Sequence, residues 1–369
     1  MLSIRRAGVL PAIALIWFLW PVPASDSKST PPEWDVVRTT SPESVDELKA
    51  LQSRVKEVNT KVTPSTVALL VGNDPFGNGG MSCGSGVIVS EDGLVLTAAH
   101  VIAKPRERVV FVLPDGKRVG GITLGLNSVA DSGMAKITDK PPKDYPGAKD
   151  GKWPFAEMGK SADLKKGQWI VSLGHPGGPK LDRPPPVRTG RFIGLEKAGF
   201  AGQRNDLLNT DATLVGGDSG GPLFDLAGKV VGIHSEIGLT LDMNRHVPLE
   251  KYKAEWDRMV RGDIIYANEK LRDKHIKAGL NVYYGDKTDP LDPPKVIKVE
   301  TDGAGDKAGI EAGDVIVKFN GFPVKTINDL RNMLPSYKVG EKVKVEVLRD
   351  DQPVSLEVKL AEKAKELKE

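Results

Sequence analysis

Between Val62 and Val247 the chain is written in short β-rich runs punctuated by glycine, and this punctuation restricts the fold more than any other feature. In residues 85–101, SGVIVSEDGLVLTAAHV, two aliphatic runs flank Glu91-Asp92-Gly93, which predicts a hairpin. Many such runs without long helical periods predict an antiparallel sandwich or barrel. The 369 residues leave room for two domains. Cys83 is the only cysteine, so no intrachain disulfide is possible and the domains must stand on their cores. Without a cysteine pair or a His/Cys cluster a structural zinc site is not expected. Cys83 itself opens an alternating apolar run and reads as a small buried residue, not a nucleophile.

The flanking segments differ in composition. Residues 1–24 carry Arg5 and Arg6, an apolar stretch from Ala7 to Trp20, and Val22-Pro23-Ala24, the layout of a cleaved export signal. An uncleaved membrane tether is the alternative, although the stretch is shorter than the ~20 residues of a comfortable span. Residues 25–61 hold a Ser/Pro-rich spacer and then Val45, Leu48, Leu51, Val55 and Val58 at helical spacing. That amphipathic helix packs on its own domain or meets another subunit. The β-rich domain is expected over 62–262, with residues 138–152 as a surface loop and a charged, helix-compatible segment from Leu249 to Arg272. A linker over 263–277 leads to a small α+β domain, 278–361, and a charged tail, 362–369. In that domain PKVIKV, DVIVKFNG, KVKVEVL and VSLEVKL read as strands, and Thr326 with Asp329 forms a capping-box signature ahead of a helix. The formal charge of +3, with both signs interspersed, argues against nucleic acid as a partner.

The stretch GGDSGGPL, 216–223, surrounds Ser219 with residues small enough for backbone to approach a bound carbonyl. A serine attacks at neutral pH only with a base in reach, and histidine suits that work. Of five histidines, His100 follows the strand-like LVLTAA, where small alanines leave room beside a rigidly held ring. His175 lies in a Gly/Pro turn, His234 is expected to line the substrate, and His246 and His275 have no neighbouring catalytic signal. Asp131 is the best acceptor for the second ring nitrogen of His100. The Gly217 and Ser219 N–H groups can share one oxyanion. Gly217-Asp218-Ser219-Gly220-Gly221 also fits the G-x-S-x-G elbow of α/β-hydrolases, but Gly220-Gly221-Pro222 blocks the helix that elbow needs.

With TAAH at His100, D-x-x-x-x-K-I at Asp131, TDA at 210–212 and GDSGGPL at Ser219, the chain resembles the HtrA (DegP/DegS) family of trypsin-like serine proteases. KAGIEAGDVIVKFNG and TINDLRNML are similar to the PDZ domain that such proteins carry. The resemblance implies a mainly β fold: a chymotrypsin-like double β-barrel followed by an α+β PDZ domain. It implies a periplasmic, ATP-independent endopeptidase of protein quality control, with no metal and no cofactor, that cleaves unfolded or damaged polypeptides and assembles as a homotrimer or multiple of trimers. Ser219 would be the nucleophile, His100 the base, Asp131 its orienting acid, and Thr213, His234, Ser235 and Glu236 the substrate pocket. With neutral Thr213 at its base, that pocket would favour small aliphatic residues. The PDZ domain would bind C-terminal or hydrophobic peptides through Gly279, Leu280, Asn281 and Val282 and the helix face Ile327, Leu330 and Leu334, which could equally be core. A holdase or peptide-binding scaffold with little proteolysis is the competing reading. The sequence departs from the family at Asp218, where Asn is usual and where no charge partner is evident, at Ser132 and Gly133, where larger apolar residues are usual, and at Asn281, where glycine is usual.

Overall fold

The computed structural model describes residues 41–72, 82–180, 183–198, 205–238, 240, 243–284 and 289–363. The expected export signal, the spacer as far as residue 40 and tail residues 364–369 lie outside the described residues.

The first barrel is formed by β1 (Thr66–Val71), β2 (Ser82–Ile88), β3 (Leu94–Ala98), β4 (Arg108–Val112), β5 (Arg118–Asn127) and β6 (Ser132–Ile137). These run in the order β5-β4-β1-β2-β3-β6, and a further β5–β6 pairing closes the sheet. The hairpin expected at Glu91-Asp92-Gly93 is the β2–β3 turn: Val87 lies opposite Leu96, Ile88 opposite Val95, and Gly93 takes a φ of +87°. The second barrel, β7 (Trp169–Leu173), β8 (Val187–Ala198), β9 (Asn205–Thr210), β10 (Pro222–Asp225), β11 (Val230–Ile237) and β12 (Asn244–Pro248), is closed in the order β10-β11-β12-β9-β8-β7.

One apolar cluster fills the first barrel around Leu69, Ile88 and Phe111. Another takes Val87, Leu96 and Met134 from the first barrel and Val171, Phe224 and Ile233 from the second, so the two share a core across their junction. Burial of such surface is the main stabilising term, at about 25 cal/mol per Å² of apolar area, and it fixes one barrel against the other.

Helix α1 (Val45–Val62) starts at Ser44, whose Oγ accepts the Glu47 N–H at 3.1 Å. Leu51, Val58 and Val62 are buried in the shared core, and Arg54 donates to the Leu226 carbonyl at 2.6 Å. Its C-terminal half thus packs on its own domain, whereas Val45 and Leu48 remain 67% and 57% exposed. Segment 138–152 is irregular, as expected, but it is more than a surface loop. Tyr145 is buried edge-on to Trp153, ring centroids 5.6 Å apart, and donates its hydroxyl to the Pro64 carbonyl at 2.6 Å.

The charged segment after β12 is broken into α3 (Leu249–Ala254) and α4 (Trp256–Arg261), a short strand β13 (Ile264–Ile265) parallel to β5, and α5 (Glu269–His275). Helix α4 ends at Gly262, whose φ is +90°, and the next residue, Asp263, is fully buried and paired with Arg261 at 2.7 Å. The expected linker is therefore largely structured.

The C-terminal domain contains β14 (Ala278–Gly279), β15 (Val282–Tyr283), β16 (Lys298–Val299), helix α6 (Ala304–Ala308), β17 (Val315–Phe319), β18 (Phe322–Pro323), helix α7 (Ile327–Met333), β19 (Lys342–Arg349), β20 (Gln352–Lys359) and β21 (Ala361–Glu362). Thr326 and Asp329 form the expected capping box. Asp350 and Asp351 both take positive φ, +49° and +59°, in the two-residue β19–β20 turn. Only Lys298–Val299 of PKVIKV is strand, and Glu362, assigned to the tail, belongs to β21, which pairs with β14.

Ile327, Leu330 and Leu334 are 3%, 2% and 9% exposed, and the two leucines join Leu280, Phe319 and Val345 in the domain core. Leu330→Ala is therefore expected to cost about 2–5 kcal/mol of that domain's stability, measurable by urea unfolding followed through its tyrosines. A cost below about 0.5 kcal/mol, the range of an exposed site, would contradict the core placement.

Candidate active site

After β3 the chain turns into the single-turn helix α2 (Ala99–Ile102), which carries His100 with 37% of its side chain exposed. Asp131 stands in the tight β5–β6 connection at a φ of +55°, and its carbonyl accepts the Ala99 N–H at 3.1 Å, stitching this turn to α2. The Asp131 carboxylate is loaded from three directions. Its Oδ1 accepts the His100 main-chain N–H at 3.0 Å; its two oxygens lie 3.0 and 2.9 Å from His100 Nδ1; and Ser235 Oγ donates to Oδ2 at 2.5 Å. A proton held on Nδ1 by a carboxylate leaves the lone pair on Nε2. Burial would lower the pKa of His100, but the hydrogen bond and charge of Asp131, with a smaller contribution from Glu236, outweigh it and raise the ring above its usual value.

The nucleophile candidate lies on a turn that only glycine can form. Gly217 and Gly220 take φ of +97° and +86°, and a Cβ on Gly220 would stand 2.2 Å from both the Ser85 carbonyl and Thr97 Oγ1. This close approach sets Ser219 between the barrels: its carbonyl accepts the Ser85 N–H of β2 at 2.8 Å, and the Gly220 N–H donates to the His234 carbonyl of β11 at 2.7 Å. Gly220 also lies against Ala98, two residues before His100. Among the described residues the N–H groups of Gly217 and Ser219 donate to no protein acceptor, while the Gly217 carbonyl accepts Ser85 Oγ at 2.8 Å. The structure thus brings a serine turn with two unengaged main-chain donors next to an imidazole–carboxylate pair.

The expected pocket residues divide. Thr213 is half-buried and its carbonyl accepts from Arg188 at 3.1 Å. Ser235 is buried, and its hydroxyl is committed to Asp131 because β11 runs beside the acid. His234 turns its side chain into the second barrel. Its ring is fully buried, with Nδ1 2.8 Å from His246 Nδ1 and Nε2 2.9 Å from Ser172 Oγ, and burial lowers its pKa to about 3. The two rings face each other because His234 and His246 are register partners on β11 and β12. Glu236 is mostly buried opposite Arg245 at 3.4 Å; burial pushes its carboxyl up against the pull of Arg245.

His175 occupies the expected turn but is buried, its N–H donating to Ser85 Oγ at 2.9 Å. Cys83 is half-buried, and burial raises its thiol pKa, which suppresses the nucleophilic thiolate. The glycine two residues after Asp131 has a steric reason: a Cβ on Gly133 would sit 3.0 Å from the Ala98 carbonyl and from Ile102 Cδ1.

Two residues that sequence reasoning missed are Ser85 and Arg188. Arg188 pairs bidentately with Asp218, both contacts at 2.6 Å. A buried aspartate beside the candidate nucleophile demands a cation, but the sequence offers 52 Lys and Arg to choose from.

In the C-terminal domain Gly279 pairs with Ala361, Leu280 is buried and Val282 is half-buried on β15. Asn281 takes the φ of +54° that glycine usually supplies, and its Oδ1 accepts the Ala304 N–H at 3.3 Å while its Nδ2 donates to the Glu362 carbonyl at 3.1 Å. Among the described residues no cluster of His, Cys, Asp or Glu could hold a metal ion, and no helix is long and apolar enough to cross a membrane.

Residues 84–233 match the trypsin-like peptidase domain family and residues 260–360 the PDZ domain family. The chain is 29% identical over 293 residues to a protein of Rickettsia conorii named "Probable periplasmic serine endoprotease DegP-like", covering 75% of this chain and 53% of that protein. A protein of the same name from Ectopseudomonas mendocina is 31% identical over 289 residues, covering 75% of this chain and 56% of its own length. The chain thus spans little more than half of these relatives. Among solved structures, the HtrA-type protease AlgW with a decapeptide is 20% identical with a TM-score of 0.45, covering 84% of this chain and 99% of that one.

Proposed function

The chain belongs to the HtrA family of trypsin-like serine proteases with one PDZ domain, and from that premise we propose that it is an exported, ATP-independent serine endopeptidase cleaving unfolded or damaged polypeptides. The observation that carries this reading is the Asp131 carboxylate, held by Ser235 and lying 2.9 Å from His100 Nδ1, beside the turn that bears Ser219. In this mechanism Ser219 Oγ attacks the scissile carbonyl carbon as its proton passes to His100 Nε2. The carbonyl oxygen takes the negative charge and accepts from the Gly217 and Ser219 N–H groups. Collapse expels the amine, which takes the proton from His100. Water, deprotonated by the same ring, then releases the acyl group and regenerates the Ser219 hydroxyl.

Neutral Thr213 supports a preference for small aliphatic residues before the cleaved bond. The C-terminal domain is assigned to binding C-terminal or hydrophobic peptide segments by strand addition. The relatives' names support a periplasmic location. A trimeric assembly is part of the same reading, and the exposed Val45 and Leu48 on α1 are apolar surface it could cover.

The purified protein is expected to cleave casein without ATP and to be labelled by a fluorophosphonate at Ser219. Suppression of client aggregation without labelling would replace this reading by a holdase. A second expectation concerns pH. His100 acts as a base only when neutral, so kcat/KM falls as pH drops through its raised pKa. Glu236 contributes to that rise through its negative charge; Glu236→Gln removes the charge and is expected to move the acid limb to lower pH, with the plateau within about threefold. An unmoved limb in a pH–rate profile would exclude the coupling.

A further inference from the structure

Asp218 immediately precedes Ser219, and its side chain is only 1% exposed. Its oxygens are fully engaged: Oδ1 accepts Arg188 Nη2 at 2.6 Å, and Oδ2 accepts Arg188 Nη1 at 2.6 Å and the Val215 N–H at 2.9 Å. Arg188 Nη1 also reaches the Thr213 carbonyl at 3.1 Å. One guanidinium therefore ties β8 to the segment ahead of the nucleophile and to the nucleophile's neighbour. The space is shaped for this pair, since a Cβ on Gly174 would stand 2.4 Å from Asp218 Oδ1. On the opposite side of the turn, Ser85 of the first barrel holds the Gly217 and Ser219 carbonyls with its hydroxyl and its N–H, each at 2.8 Å.

From this geometry we propose that Arg188 is a positioning residue for the hydrolytic reaction. Through Asp218 it fixes the 215–219 turn in the form that presents the Ser219 hydroxyl and the Gly217 and Ser219 N–H groups, with Ser85 as the opposing clamp. The proposal rests on the serine endopeptidase reading. A carboxylate this deep cannot go unpaired without a cost that the surrounding turn must relieve by moving, and a displacement of the order of 1 Å is enough to disable an acyl-transfer site. The pair lies within one chain and needs no ligand, so the turn is held in this form before substrate arrives.

The test compares Arg188→Gln, Arg188→Lys, Asp218→Asn and the double variant Arg188→Gln/Asp218→Asn in the full chain. The readouts are kcat and KM on a fluorogenic peptide, affinity for a peptidyl boronate that mimics the tetrahedral intermediate, and thermal melting. Arg188→Gln is expected to lose about 100-fold in kcat, with KM within threefold and boronate affinity falling in parallel. Lysine, a point charge without the fork, should recover part of the loss. The double variant replaces the ion pair by a neutral amide pair and is expected to recover at least tenfold over Arg188→Gln. If Arg188→Gln does not fold, a folded and active double variant still carries the proposal. The proposal is overturned if kcat of folded Arg188→Gln is unchanged, if only melting falls, or if the double variant folds yet turns over no faster than about one hundredth of the wild-type rate. Wild-type protein that neither cleaves nor reacts with a fluorophosphonate would overturn the endopeptidase reading itself, and the positioning role with it, before any variant is compared.

Discussion

Ser219→Ala is expected to reduce casein cleavage by about six orders of magnitude in kcat, because in the proposed mechanism it removes the nucleophile of a triad that acts as a unit, which costs about as much as removing the whole triad. Neither Cys83 nor Ser235 can replace it. The Cys83 thiol is pushed toward its protonated form by burial, and the Ser235 hydroxyl is committed to Asp131. The fold should not notice the change. What holds residue 219 is main chain: its carbonyl accepts from Ser85 at 2.8 Å, and the next N–H donates to His234 at 2.7 Å. The variant should therefore melt within a degree or two of the wild type while losing both cleavage and fluorophosphonate labelling. The main-chain donors of Gly217 and Ser219 survive the substitution, so a residual rate about a thousandfold above uncatalysed hydrolysis is compatible with the mechanism. Cleavage within tenfold of wild type would mean that the hydrolytic centre lies elsewhere.

The contrast between what the sequence disclosed and what it withheld follows from the range of the interactions. Local signals were readable: glycine at the β2–β3 turn, the capping box at Thr326 and Asp329, and the short runs that became two closed barrels. The serine turn was readable for the same reason, since three glycines within five residues report a backbone that no Cβ can enter. The residues that support the site were not. Ser85, Arg188 and Ser235 act across separations of 132, 30 and 104 residues, and which side chain meets the site depends on strand register. Register also decides His234: its partner across the ladder is His246, and the two rings are buried against each other. In α7, helical periodicity revealed an apolar face but not what covers it, and Leu330 and Leu334 prove to be core. A pattern along the chain fixes which face is apolar; only tertiary packing fixes what that face meets.

The same distinction governs Asp131→Asn, whose effect is expected on chemistry far more than on folding. Asp131 Oδ1 accepts the His100 main-chain N–H at 3.0 Å, and Oδ2 accepts Ser235 Oγ at 2.5 Å. An asparagine can keep the first contact with its own oxygen and turn its amide toward Ser235, whose hydroxyl is able to accept instead of donate. The φ of +55° is also one that asparagine tolerates. The backbone arrangement should thus survive. The ring should not. An N–H₂ near Nδ1 favours the tautomer with its proton on Nε2, the nitrogen that must accept from Ser219, and the charge that stabilises the imidazolium is lost. A fall on the order of 10⁴ in kcat at neutral pH is expected, with KM nearly unchanged because the carboxylate is committed to His100 and Ser235. The pH profile supplies an independent sign. Asp131 helps to raise the pKa of His100, so its neutralisation should lower that pKa and carry the acid limb of the residual activity to lower pH. A loss below tenfold, or a limb moving upward, would show that the carboxylate neither orients the ring nor stabilises its charged form.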